Sequence, residues 1–200
     1  MPPPGDVLEH NTSGYAKAMC SAVFITGLDP AVAAETIGYF TGPYEQRKKV
    51  GAPVVDRAKK EVRITMPNGG PTLVARHFGS QGCITLPPGK DDVFFTPVNV
   101  KSALADPATV PWPMGDVLPN DPPPADVDMA KVTQAIGAAF ETTEAYTAAF
   151  VVTHKGRLIG ERYMNGMTER SAHLSQSVAK SFTGALVGIM AGRGLLDPQR

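Results

Sequence analysis

The sequence predicts an α+β chain, and three observations carry that prediction. Residues 50–100 alternate charged and apolar side chains around an Asn-Gly turn, the signature of antiparallel strands. Residues 106–125 hold proline at a density that the interior of neither a helix nor a sheet tolerates. Residues 126–200 turn to helical spacing, then two short strand-like runs, then a long apolar helix. The expected organisation is a disordered lead-in over 1–14, a β-rich N-terminal subdomain over 15–105, a proline-rich linker over 106–125 and a second folded part over 126–200.

Composition bounds the function. Two hundred residues suffice for one domain, or one domain with a smaller subdomain. A hydrophobic share of 42% is enough for a sizeable core. Lys+Arg and Asp+Glu both number 19, so no basic field points to nucleic acid and no acidic tail points to disorder. Cys20 and Cys83 stand far apart, without Cys-x-x-Cys or paired histidines, so no metal site is expected. Glycines 69, 70, 79 and 82 form no phosphate-cradling pattern, and no cofactor is expected. Met1–Asp6 lacks the basic start and apolar run of a secretory signal, and no window approaches the ~20 apolar residues of a membrane span. Oligomeric state and compartment stay open.

The elements follow in order. Residues 1–14 are Pro-rich and polar, hence the expected disorder. Cys20–Gly27 is short, apolar and β-branched, and reads as a buried strand. Asp29-Pro30 opens a helix, with Asp29 as N-cap and Pro30 at the first helical position; it should end before Gly42-Pro43. Val54–Ala58 leads into Glu61–Met66, Asn68-Gly69-Gly70 turns the chain, and Thr72–Phe78 returns. Gly79–Leu86 is a further strand, stopped by Pro87-Pro88-Gly89. The two cysteines near these strands are either bonded or two buried thiols. Trp112, the single tryptophan, should anchor the linker by packing. Val132, Ile136, Ala139 and Phe140 recur at helical spacing behind Asp126 and Asp128. Thr147–Thr153 and Arg157–Tyr163 flank the turn His154-Lys155-Gly156 and read as a hairpin ended by Asn165-Gly166. A polar loop over 167–176 leads to a helix that runs through Ala179, Phe182, Ala185, Leu186 and Ile189 and closes with Arg193 and Gly194.

At the start of that helix stand Ser177 and Lys180, the chain's single Ser-x-x-Lys. Positions three apart share a helix face, so the two side chains are neighbours. A serine hydroxyl needs a base to take its proton. A lysine buried beside it loses solvation, which disfavours its charged form and suits it to that role. The helix N-terminus adds N–H groups for a developing anion. Such a pair arises by chance roughly once per 200–300 residues at average composition, so its context has to carry the argument.

The context is a helix, a hairpin, a polar loop and then Ser-x-x-Lys opening an apolar helix. Through Val151–Leu158, Ser175–Ser181 and Gly192–Pro198 the chain resembles serine hydrolases of the β-lactamase and penicillin-binding-protein superfamily. The resemblance is to the class C-like branch with esterases and 6-aminohexanoate-dimer hydrolase. Cys20–Phe24, Gly82-Cys83 and Trp112–Asp116 are similar to an N-terminal extension in some of these proteins. The resemblance implies a β-lactamase-like α/β sandwich beginning in 126–200. It also implies a small-molecule ester, amide or β-lactam substrate and an acyl-enzyme. Ser177 would be the nucleophile, Lys180 the group that takes its proton, and the Ser177 N–H one oxyanion donor. A Cys20–Cys83 bond and an extracytoplasmic site would fit that family.

The chain also departs from the pattern. A later Tyr-x-Asn element and a Lys-Thr-Gly-like triplet do not follow Lys180. Tyr15, Tyr39, Tyr44, Tyr146 and Tyr163 all precede Ser177, and Phe182-Thr183-Gly184 falls inside the helix. The expectation is an N-terminal portion of a longer hydrolase, inactive or nearly so as this chain. Other candidates weigh less. His173 reads as a surface or packing residue, His77 and His154 as strand and turn residues, and Asp91-Asp92 and Glu141…Glu144 as solvated faces. Two non-enzymatic alternatives remain: a binding or scaffold protein that retains the fold, and an interaction module built on residues 15–105.

Overall fold

The computed structural model describes residues 5–40, 42–142, 145–164 and 166–199. It is α+β, with one four-stranded and one two-stranded antiparallel sheet.

Helix α1 spans Val7–Ser21, and its sequence contains the reason. Asp6 caps it by accepting a hydrogen bond from the Glu9 N–H at 2.8 Å. Thr12, Tyr15, Ala16, Met19, Cys20 and Val23 form a stripe at helical spacing, and all are buried. Two expectations are therefore corrected. The lead-in is helical from Val7 onward, while residues 1–4 lie outside the described residues. Cys20–Gly27 is not a strand: it is the end of α1 followed by one π-helical turn, Ala22–Thr26, closed by Gly27. A short apolar run has no periodicity of its own to separate strand from helix, and here the upstream cap decides.

Helix α2, Pro30–Glu35, starts as expected, with the Asp29 carboxylate accepting from the Ala31 N–H. A 3₁₀ turn over Ile37–Phe40 and the short α3, Tyr44–Arg47, follow. Strands β1 (Val54–Asp56), β2 (Glu61–Thr65), β3 (Thr72–His77) and β4 (Cys83–Thr85) pair in that order. Asn68 and Gly69 turn β2 into β3 with left-handed backbones, as the Asn-Gly signal requires. The last expected strand is shorter than its segment, because Gly79–Gln81 forms a 3₁₀ turn. Registers Val62↔Ala75, Ile64↔Leu73 and His77↔Cys83 place alternate residues on the face that α1 covers. α1 packs on β2, β3 and β4, and the Cys20–Cys83 disulfide joins helix to edge strand. The core is thus a helix on a sheet, not the β-rich body expected.

The proline-rich segment is a strap docked on the hairpin. The Trp112 indole N–H donates to the Gly156 carbonyl at 2.9 Å, so the tryptophan anchors the segment on the hairpin turn, as expected. Arg157 donates to the Asp121 carbonyl at 2.6 Å, and Asp126 bonds Lys155 at 2.7 Å and His154 at 3.3 Å.

Helix α4, Met129–Ala138, is capped by Asp128. The hairpin pairs β5, Ala149–His154, with β6, Arg157–Tyr163, and carries a bulge at Val152/Thr153. Gly160 lets α4 approach β6: a Cβ there would meet Ile136 Cδ1 at 2.6 Å. Helix α5, Val178–Gly192, ends in a Schellman motif. The Gly194 N–H donates to Ala191 and the Leu195 N–H to Met190, with Gly194 at φ 68°. No described helix is long and apolar enough to cross a membrane.

Two predictions concern this core. The disulfide closes a 63-residue separation. Without reductant the chain should show no free thiol, and Cys83→Ser should lower urea-unfolding stability by about 4 kcal/mol. Two free thiols would overturn the pairing. His77 is held below its ordinary pKa of 6.5, first by burial and then by the charge of Lys60. The folded chain favours the neutral ring, so the unfolded chain binds the proton more readily. The contribution is whole above pH 6.5 and fades as pH falls through the lowered native value. Stability should decline as pH falls below about 6.5, and His77→Gln should flatten part of that slope.

Candidate active site

The loop before α5 is fastened at three places. Met167 is buried in the N-terminal core. Arg170 pairs with Asp116 of the strap at 3.2 Å. The Thr26 hydroxyl donates to the Ala172 carbonyl at 2.7 Å. Thr168 and Ser171 close a local turn between these points, the Thr168 N–H donating to Ser171 Oγ at 2.9 Å. The polar loop expected over 167–176 therefore has a set path. Gln176 then adopts a left-handed backbone, φ 46°, and Ser177 stands at the N-cap of α5.

The structure brings Ser177 and Lys180 together. Lys180 Nζ donates to Ser177 Oγ at 2.9 Å, one helical turn apart. No side-chain capping bond engages the serine, and among the described residues nothing accepts a hydrogen bond from its N–H. The pair therefore has a hydroxyl, an amine in contact with it and one available backbone donor.

The expected burial of the lysine is not found: Ser177 and Lys180 are both exposed. The reason lies in α5. Its apolar residues are spread over all faces, and Phe182 is 66% and Leu186 61% exposed. A helix apolar all round is stable when enclosed. Here no described element packs on α5 closely enough to cover it.

The other candidates separate from the pair. His173 is exposed and borders a cavity with Leu174 and Gln176, but no hydrogen bond joins it to Ser177. His77 ends β3, as a strand residue should, while His154, expected in the turn, is the last residue of β5 and pairs with Arg157. Asp91 and Asp92 are exposed, lying near Arg76, which bonds the Asp91 carbonyl at 2.8 Å. Glu141 is exposed, while Glu144 and Asn165 lie outside the described residues. Phe182-Thr183-Gly184 is inside α5. Among the described residues no group of three or more His, Cys, Asp or Glu is placed to hold a metal.

Two charged clusters escaped the sequence reading. Glu61 is fully buried, yet its carboxylate is held by Arg63 Nε at 2.6 Å and Arg76 Nε at 2.9 Å. Its signal was the cross-strand register, which sets Glu61 opposite Arg76, and register is invisible before the turn is fixed. Arg47 pairs with Glu35 at 2.9 Å and lies against the rings of Tyr15, Tyr39 and Tyr44, at 5.1–6.0 Å from their centroids. Tyr44 donates to Glu35, and that bond pushes its hydroxyl up to about 12. These groups come from α1, α2, the 3₁₀ turn and α3 and have no common spacing.

Removing one partner from a buried pair leaves the other uncompensated. Glu61→Ala should cost about 3 kcal/mol in urea unfolding, at the low end of such losses because both arginines keep partial contact with water. A change below about 1 kcal/mol would mean that the triad adds nothing over solvated arginines.

Comparison with protein-family models, with curated proteins and with solved structures finds no match to this chain.

Proposed function

We propose that the chain is a serine hydrolase whose acyl-enzyme forms on Ser177, acting on ester, amide or β-lactam carbonyls. The observation that carries this reading is the 2.9 Å contact between Ser177 Oγ and Lys180 Nζ at the start of α5. The order of helix, hairpin and loop before it agrees with the start of a β-lactamase-like sandwich.

The chemistry follows from the pair. Neutral Lys180 reverses the hydrogen bond and accepts the Ser177 proton as Oγ bonds to the carbonyl carbon. The Ser177 N–H donates to the oxygen that becomes negative. The carbonyl–leaving-group bond breaks, and the leaving group takes the proton from Lys180. Water then attacks the acyl ester, an acid is released and the serine hydroxyl is restored. Covering Lys180, by substrate or by protein packed on α5, removes water from the amine and favours the first step. With one oxyanion donor in place, turnover by this chain should be slow.

The exposure of both residues favours a second reading, a non-catalytic binding or scaffold protein that keeps the fold. A fluorophosphonate probe separates the two. The full chain should be labelled at Ser177, Ser177→Ala should not be labelled, and Lys180→Met should react about 10²–10⁴-fold more slowly. Labelling that persists in Ser177→Ala, or a wild-type chain that stays unlabelled, would sink the hydrolase reading.

A further inference from the structure

A cavity of about 160 Å³ adjoins the Ser177 position, and the acyl-enzyme chemistry gives it no role. Its apolar lining is Ile37, Ala148, Met164, Met167 and Leu174, and Thr36, His173 and Gln176 add polar groups. These come from three stretches of chain: the turn after α2, the lead into β5 and the segment after β6. Ile37, Ala148 and Met164 pack against the core that holds Met167, and the Met164 N–H bonds the Ala148 carbonyl at 3.0 Å, so the cavity is preformed. An apolar cavity of about 150 Å³ accepts a benzene molecule, so this one has room for a group of that size. Methionine thioethers on two walls adapt to ligand shape.

Backbone geometry points to the same place. Lys60, Asn68 and Lys155 have left-handed backbones in turns between paired strands. The other non-glycine residues of this kind among those described, Tyr146 at φ 50° and Gln176 at φ 46°, join no strands, and both line the cavity. For a bulky residue that conformation persists only where its surroundings enforce it, and such residues cluster at ligand sites. Gln176, which lines the cavity, is the residue before Ser177 in the chain.

We infer that this cavity is the subsite for one compact apolar substituent, about the size of a phenyl ring, of the compound whose carbonyl Ser177 attacks. The inference rests on the hydrolase reading for the identity of that compound, and the apolar site itself does not. The substituent sits on the acyl side or the alcohol side of the ester, and two probes separate these.

The test uses the full chain with ¹³C-methyl methionine, titrated with methyl phenylacetate, benzyl acetate and methyl acetate. The Met164 and Met167 methyl signals should shift saturably with a phenyl-bearing probe and not with methyl acetate. Met114, 83% exposed on the strap, should not move. The stronger of the two phenyl probes assigns the side. Leu174 is 39% exposed at the rim, so Leu174→Trp should fold, fill the cavity and weaken binding about tenfold or more. The stronger probe should also slow fluorophosphonate labelling of Ser177 in the wild type and not in Leu174→Trp. No saturable shift up to probe solubility, or equal shifts in Leu174→Trp, would overturn the subsite. Shifts without any labelling would keep the apolar site and remove the hydrolase reading. Labelling without shifts would do the reverse.

Discussion

The packing of α1 across the four-stranded sheet is the contact on which the rest of the structure depends. Tyr15, Ala16, Met19, Cys20 and Val23 of the helix segment meet Val62, Ile64, Ala75 and Cys83 of the sheet, and these make most of the apolar core. Leu28, Ala33 and Met167 complete the cluster from outside these two layers. A three-turn stripe and a small sheet bury little area, so a covalent link between them has a large relative effect. The Cys20–Cys83 bond supplies it by removing freedom from the unfolded chain.

That core is also what fixes the path to the candidate site. Met167 inserts into it, Thr26 holds Ala172, and Asp116 holds Arg170. The loop that would otherwise be free is therefore positioned by the N-terminal helix-and-sheet layer and by the proline-rich strap together. The strap in turn is set by Trp112, Asp121 and Asp126 against the hairpin turn. Ser177 thus inherits its place from contacts up to 146 residues distant in sequence. The sequence divisions at 105 and 125 do not coincide with independent bodies, because Ala148, Tyr163, Met164 and Met167 all pack on the N-terminal core.

The contrast between the two ends of the molecule bears on chemistry. In the sheet that α1 covers, Glu61 is buried and paired between two arginines. Around α5, apolar groups are exposed and the Ser177–Lys180 pair stands in water. A serine–lysine pair becomes reactive when water is excluded from the lysine. Lys180 Nζ and Ser177 Oγ lie within hydrogen-bonding distance, and the described residues leave both exposed.

Local signals were sufficient for much of this. Asp29-Pro30, Asn68-Gly69 and Asp128 each act through their own backbone neighbourhood, so the elements they start or turn were legible. The hairpin over 149–163 and the Ser177–Lys180 contact follow from period and from helical spacing alone. The capping pair Asp6…Glu9 and the stripe from Thr12 to Val23 were also present in the sequence, but the Pro-rich start and the β-branched run at 20–27 outweighed them. What only the tertiary structure decided was everything that depends on residues far apart in the chain. The Cys20–Cys83 pairing, the burial of Glu61, the docked strap and the cavity beside Gln176 belong here. Periodicity fixes which side of an element a residue occupies. It does not fix what lies opposite, and burial, charge pairing and cavity shape are properties of what lies opposite.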